Sequence, residues 1–259
     1  MVKWSKKEAI LMKLNKNIVT VTKEIVSLTD WQVLASPMGG DSQWRDGRSA
    51  KELAKYITGH LPQMPKELED LLSNFSRQDS SFDWSAESVT DFSKHGYGKG
   101  MGRNHDLIVY NQDVFLGIEA KADEPFGNKT IAEELKNASN NKKLRIEKLV
   151  DLVFGDQVEN HLELRYQLLT ACGGVLLEAK HRNIQKAVML VLVFLKNGTD
   201  ASERPYYLEE NRARNNEDWE SFLRQLHAAP CKNGCYKAKI SAQCAGIDLY
   251  VQKIEIPVE

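Results

Sequence analysis

Apolar residues recur along this chain at two different periods, and the periods place most of its secondary structure. Helical spacing is clear in four segments. Residues 46–57 set Leu53, Tyr56 and Ile57 on one stripe, and residues 65–75 align Leu68, Leu71, Leu72 and Phe75. Residues 163–178 align Leu164, Leu168, Cys172 and Val175, although Gly173-Gly174 weakens the second half. Residues 216–228 align Trp219, Phe222, Leu223 and Leu226. Strand signals lie between these helices. Residues 106–110 and 114–122 flank the polar Asn111-Gln112-Asp113 and predict a hairpin. Residues 188–195 are continuously apolar, as in a strand buried on both faces, and residues 247–256 read as a last strand. The order helices, hairpin, helix, buried strand, helix, strand predicts a mixed α/β fold. Residues 96–102 read as a flexible glycine-rich loop, and residues 197–216 as a polar stretch of weak periodicity. Residues 1–45 read as an N-terminal appendage to a domain over 46–259, and no internal repeat is present.

Composition narrows the function classes. Of 259 residues, 42% are hydrophobic and 27% charged, which supplies a core and excludes a disordered chain. Lysine plus arginine total 35 against 36 acidic residues, a net of −1, so only local patches can attract a polyanion. The longest apolar run, residues 187–195, is about half of a membrane span. The opening Met1-Val2-Lys3-Trp4-Ser5-Lys6-Lys7 lacks a signal peptide's apolar stretch, so a cytoplasmic protein without a membrane partner is expected. Four cysteines are too few for a disulfide scaffold. The spacing of His227, Cys231, Cys235 and Cys244 does not suit a zinc module, and reduced thiols are expected.

The hairpin carries the chemistry. If Asn111 pairs with Val114 across a two-residue loop, Tyr110 faces Phe115 and Asp106 faces Glu119. Opposed carboxylates destabilise a sheet unless something positive lies between them, and a divalent cation with hard oxygen ligands would serve. The strand period puts Lys121 on the face of Glu119 and turns Ala120 into the core. Two acids and a lysine at one strand end can hold a metal and a water and stabilise charge on a phosphate oxygen.

Asp106 in a hairpin with Glu119-Ala120-Lys121 resembles the D…(D/E)-x-K signature of the PD-(D/E)XK nuclease superfamily, in its bacterial nuclease-like branch. Gly47-Arg48-Ser49-Ala50 opening a helix with Glu52, Arg165-Tyr166-Gln167-Leu168 opening the helix after the hairpin, and the buried strand fit the same pattern over residues 46–195. His105 stands where that family usually has proline. The resemblance implies a mixed β-sheet flanked by helices and a Mg²⁺-dependent nuclease, with Mn²⁺ able to substitute. Asp106, Glu119 and the Ala120 carbonyl would be the metal ligands. Lys121 would position or activate water, Glu52 would be an accessory acid, and Gln167 would orient water or the lysine. Arg165 or Tyr166 would lie near the phosphate. DNA is the expected substrate, prokaryotic defence or DNA processing the setting, and a homodimer or a partner protein a possible assembly. A nuclease-fold module that binds nucleic acid or protein without cutting is the alternative, and a purely structural ion-pair network is a third reading.

Each signal has a plainer explanation. Glu178-Ala179-Lys180 repeats the tripeptide without a hairpin partner and reads as a solvated helix end. Ser49-Ala50-Lys51-Glu52 is also an S-x-x-E capping box, and Gln167 suits a supporting polar residue. His105 reads as structural or as a phosphate contact. The loop 94–103 mixes glycines, Tyr97 and the cations Lys94, Lys99 and Arg103 just before Asp106, which suits substrate contact. Lys142-Lys143-Leu144-Arg145 and Lys180-His181-Arg182 read as solvated basic faces.

Overall fold

The computed structural model describes residues 12–15, 18–20, 23–37, 40–99, 102–199, 203, 205–206 and 208–258. The strands are β1 (Lys13–Leu14), β2 (Ile18–Thr20), β3 (Lys23–Glu24), β4 (Ser81–Thr90), β5 (Arg103–Tyr110), β6 (Phe115–Lys121), β7 (Lys186–Lys196), β8 (Ala229–Pro230), β9 (Tyr236–Lys237) and β10 (Asp248–Val258). The helices are α1 (Leu28–Leu34), α2 (Ser49–Thr58), α3 (Lys66–Leu72), α4 (Ile131–Lys136), α5 (Asn140–Phe154), α6 (Tyr166–His181) and α7 (Glu209–Gln225). The fold is mixed α/β. One eight-stranded sheet runs in the order β1-β4-β5-β6-β7-β10-β9-β8, while β2 and β3 pair separately. Neighbours β4, β5 and β6 are antiparallel; β6, β7 and β10 are parallel.

The alternation of side chains sorts two apolar layers onto the two faces of this sheet. Leu107, Val109, Leu116, Ile118 and Leu190 face Trp31, Leu53, Ile57 and Leu68 of α1, α2 and α3. Ile108, Phe115, Met189 and Val191 face Ile146, Leu149, Leu168, Val175 and Phe222 of α5, α6 and α7. Met12, Leu14, Ile25, Trp31 and Ala35 belong to the first layer, so the described part of the 1–45 segment shares a core with α2, α3 and the central strands. Among the described residues no helix is long and apolar enough to cross a membrane.

Asn111 sets the expected hairpin. Its side-chain oxygen accepts from the N–H groups of Asp113 at 2.8 Å and Val114 at 3.1 Å, and its own N–H donates to the Val114 carbonyl. Tyr110 then pairs with Phe115 and Leu107 with Ile118, as the two-residue loop requires. Two elements had an unread signal. Phe82, Trp84 and Ala86 alternate along β4, and α5 has Ser139 as its cap, a stripe of Ile146, Leu149, Val150 and Val153, and a left-handed Gly155 at its end.

Gly173-Gly174, expected to weaken a helix, instead allows α6 to lie close to its neighbours. A Cβ at Gly173 would come 2.6 Å from a Leu149 methyl, and one at Gly174 would come 2.7 Å from the His105 ring. That ring is buried and bonded to the Thr90 hydroxyl at 3.0 Å, so it has little room to give. Gly174→Ala is expected to lower stability by about 1–2 kcal/mol, or ~2–8 °C in the thermal midpoint, although alanine is the better helix former. A midpoint that stays level or rises in a denaturation scan would show that the ring yields.

Candidate active site

The hairpin end and the start of α6 meet around one carboxylate. Glu119, near the C-terminal end of β6, is only 3% exposed. Its Oε1 accepts from Lys121 Nζ at 2.7 Å and from Gln167 Nε2 at 2.6 Å, and its Oε2 forms an ion pair with Arg103. Lys121 shares the face of Glu119, and Ala120 is buried in the opposite layer, as the strand period predicted. Burial pulls the Lys121 ammonium below its ordinary pKa, while Glu124 and Asp106 resist the change.

Asp106 is the exception to regular alternation. His105 packs against the positions of Gly117 and Gly174 on the α6 side, whereas Leu107, two residues on, belongs to the other layer. The β5 strand therefore changes face once at Asp106, and its ladder with β6 stops at Leu107. The direct opposition of Asp106 and Glu119 is replaced by a different contact: Asp106 Oδ2 accepts from the Ala120 N–H at 2.7 Å. Burial raises the Asp106 pKa, and Lys121, Arg103 and this N–H oppose the rise.

Glu87 on β4 lies opposite this break, between the pairs Ala86–Leu107 and Ser88–His105. Its φ of 47° is in the left-handed region, a strained conformation for a residue other than glycine. Burial and the Asp106 charge raise its pKa to about 7, against a hydrogen bond from Asn104. Nothing in the local sequence marked Glu87, since its position depends on two strands losing alternation together.

The remaining expected residues divide. Gln167 and Arg103 reach Glu119, and Lys99 lies on the adjoining cleft. Glu52 has other partners. It sits on α2 in the other layer, accepts the Gly47 N–H at 2.7 Å, and pairs with Lys55. It closes its own helix start, but Arg48 rather than Ser49 occupies the cap position, so the S-x-x-E box does not form. Arg165 is also held elsewhere: its Nε bonds Asp218 of α7 at 2.8 Å. The second Glu-Ala-Lys copy is a helix end, with Glu178 paired to Arg182. The sulfurs of Cys235 and Cys244 lie near the Val251 and Leu152 carbonyls in separate layers, and Cys231 is exposed.

Beside Glu119 opens a cleft of about 690 Å³. Lys99, Arg103, Lys129, Lys142 and Arg145 line it against one acid, Glu134, which is itself paired with Lys142. The 94–99 part of the loop is not loose. The Lys99 N–H donates to Asn141 Oδ1 at 2.9 Å, Arg145 donates to the Tyr97 and Lys99 carbonyls, and Lys148 donates to the Gly96 carbonyl at 2.8 Å. Gly98, at φ +80°, permits this close approach to Asn141. The basic cluster 142–145, expected as a solvated face, therefore both anchors the loop and lines the cleft.

A family comparison adds a boundary. The domain family DUF6946, described as a domain of unknown function, matches residues 24–258. The chain belongs to the DUF6946 family. No curated protein and no solved structure matches it. The DUF6946 match starts at β3, so it spans all of the strands and helices around Glu119.

Whether Mg²⁺ suits the site depends on its donors. Among the described residues no group of three or more His, Cys, Asp or Glu gathers to hold a metal. Mg²⁺ commonly uses only one or two carboxylates and keeps several waters, so Asp106, Glu119 and the Ala120 carbonyl suffice in kind. Asp106, with one oxygen on the Ala120 N–H, has the less compensated charge of the two acids.

His105 gives a stability test. Burial, with Arg103 nearby, lowers its pKa to about 3 from an ordinary 6.5. The unfolded chain thus gains a proton near pH 6.5 that the folded chain refuses. The contribution is complete above that pH and is lost as the pH falls toward 3. In urea titrations, His105→Gln is expected to remove about 2 kcal/mol of the stability lost between roughly pH 6.5 and 4.5. Parallel pH slopes for the two proteins would place the acid sensitivity elsewhere.

Proposed function

We propose that this chain is a metal-dependent nuclease of the PD-(D/E)XK type that hydrolyses phosphodiester bonds in nucleic acid, DNA first among them. The observation that carries the reading is the meeting of Asp106, Glu119, Lys121 and Gln167 at one sheet end, beside a cleft with five cations and one acid. The order helix, hairpin, helix, parallel strand around them supports it. Asp106, Glu119 and the Ala120 carbonyl would hold Mg²⁺ or Mn²⁺, which when bound supplies polarisation of the scissile phosphate. Lys121, 2.7 Å from Glu119 Oε1, orients the attacking water together with that carboxylate. Its lowered pKa leaves more of the amine neutral, and so free to take a proton, than in an exposed lysine at the same pH. Arg103 and Gln167 fix Glu119, and the cleft cations offset the charge that builds on the phosphate oxygens. A cytoplasmic location and a role in prokaryotic defence or DNA processing belong to the same proposal, as does assembly as a homodimer or with a partner protein.

A second reading, a module that binds nucleic acid without cutting it, draws on one fact. Both oxygens of Glu119 are already engaged, by Arg103 on one side and by Lys121 and Gln167 on the other. Cleavage of plasmid and linear DNA with Mg²⁺ or Mn²⁺ separates the two. Wild-type cleavage is expected to fall at least ~100-fold in Glu119→Gln and Lys121→Ala, with circular dichroism unchanged. Cleavage that survives both substitutions would overturn the site. No wild-type cleavage of any substrate, despite tight binding, would favour the non-cutting module.

A further inference from the structure

The cleft beside Glu119 has more than charge. Three of the residues that line it each have a buried polar atom with no hydrogen-bond partner among the described residues: Arg103 Nε, Asn104 Oδ1 and Gln167 Oε1. Buried polar groups are rarely left unmatched, so these residues keep polar capacity beside the cleft that a polar occupant would use once their cover shifts. The half-buried Tyr166 ring also lines it, with Lys142 5.6 Å from its centroid, while the Phe92 ring, 5.9 Å from Arg145, is buried beneath. At the rim, the exposed Lys99 and Lys129 have no ion-pair partner among the described residues.

These groups match the parts of one nucleotide. Free lysines at the rim suit phosphates, the partly exposed Tyr166 ring suits a base face, and the Gln167 amide on the wall suits a polar base edge. In an intact duplex the base faces are stacked and the pairing edges are used, so only an unpaired nucleotide presents both. The size agrees, since about 690 Å³ is the volume of a pocket that encloses a single small ligand.

We propose that this cleft seats one unpaired nucleotide of a single-stranded nucleic acid next to Glu119, so that the substrate is single-stranded or locally unpaired rather than intact duplex. The proposal rests on the nuclease reading for the role of Glu119, but the binding it describes needs neither metal nor cleavage.

The test is fluorescence anisotropy in EDTA with a dye-labelled single-stranded oligodeoxynucleotide, the same sequence in ribose form, and a blunt hairpin duplex of equal length. Single strands are expected to bind at least ~10-fold tighter than the duplex, and the ribose arm separates RNA from DNA. The surface variant Lys99→Glu/Lys129→Glu is expected to weaken single-strand binding ~10-fold or more and to reduce its salt dependence. Tyr166→Leu is expected to weaken it with the salt dependence unchanged. Equal or tighter binding of the duplex would overturn the proposal, as would affinity for single strands that neither variant changes. Metal-dependent cleavage lost in Glu119→Gln alongside duplex preference would leave the nuclease reading standing and this one overturned. Strong single-strand selectivity without cleavage of any substrate would do the reverse.

Discussion

A carboxylate that is 3% exposed on a central strand is the constraint that the surrounding structure answers. An ionised group at that depth costs several kcal/mol unless it is paired and hydrogen-bonded. Glu119 obtains two cations and an amide, each from a different place: Arg103 from the start of β5, Lys121 from its own strand, and Gln167 from the first turn of α6. Bringing that turn into reach requires α6 to lie close on the sheet. The side-chain-free positions Gly117, Gly173 and Gly174 allow it, with the His105 ring filling the space between. Stability does not explain such a cluster, because apolar residues of similar volume commonly do as well or better. Buried charges at the mouth of a cleft, with pKa values displaced beside a concave surface, mark Glu119 and its neighbours as a candidate site.

Local periodicity made much of this legible. The hairpin register came from a polar loop and two β-rich runs, because Asn111 closes the turn with its own side chain. The faces of Lys121 and Ala120 came from period two, because β6 is regular throughout. Period two misplaced Asp106 for a physical reason. The close approach of α6 draws His105 to its side while Leu107 stays in the other layer, so the residue between them absorbs the change. Alternation is a property of a regular ladder, and the candidate site lies where the ladder ends.

Arg165 and Glu52 are engaged by other partners, each for its own reason. Both stand beside motif residues in sequence, yet each has a partner that sequence proximity to the signature could not reveal. Arg165 takes Asp218, 53 positions downstream, because the cap of α6 points it toward α7. Glu52 takes the Gly47 N–H because a helix start leaves donors unsatisfied. A short signature names residue types, but the competing demands of caps and ion pairs determine which of them are left for chemistry. Glu87 is the converse case, an acid outside the signature that strand pairing carries to the break at Asp106.

The net charge of −1 describes no part of this surface well. Helix α5 does much of the sorting. Lys142 and Arg145 turn into the cleft beside Glu119, while Glu147 and Asp151, farther along the same helix, line a separate groove with Asp156 and Glu159. Opposite charges on one near-neutral chain thus create a local field that draws an anion toward the cleft without making the whole protein sticky to polyanions. Because exposed charges are screened within about 8–10 Å at ordinary salt, it is this arrangement, and not the total, that an approaching phosphate meets.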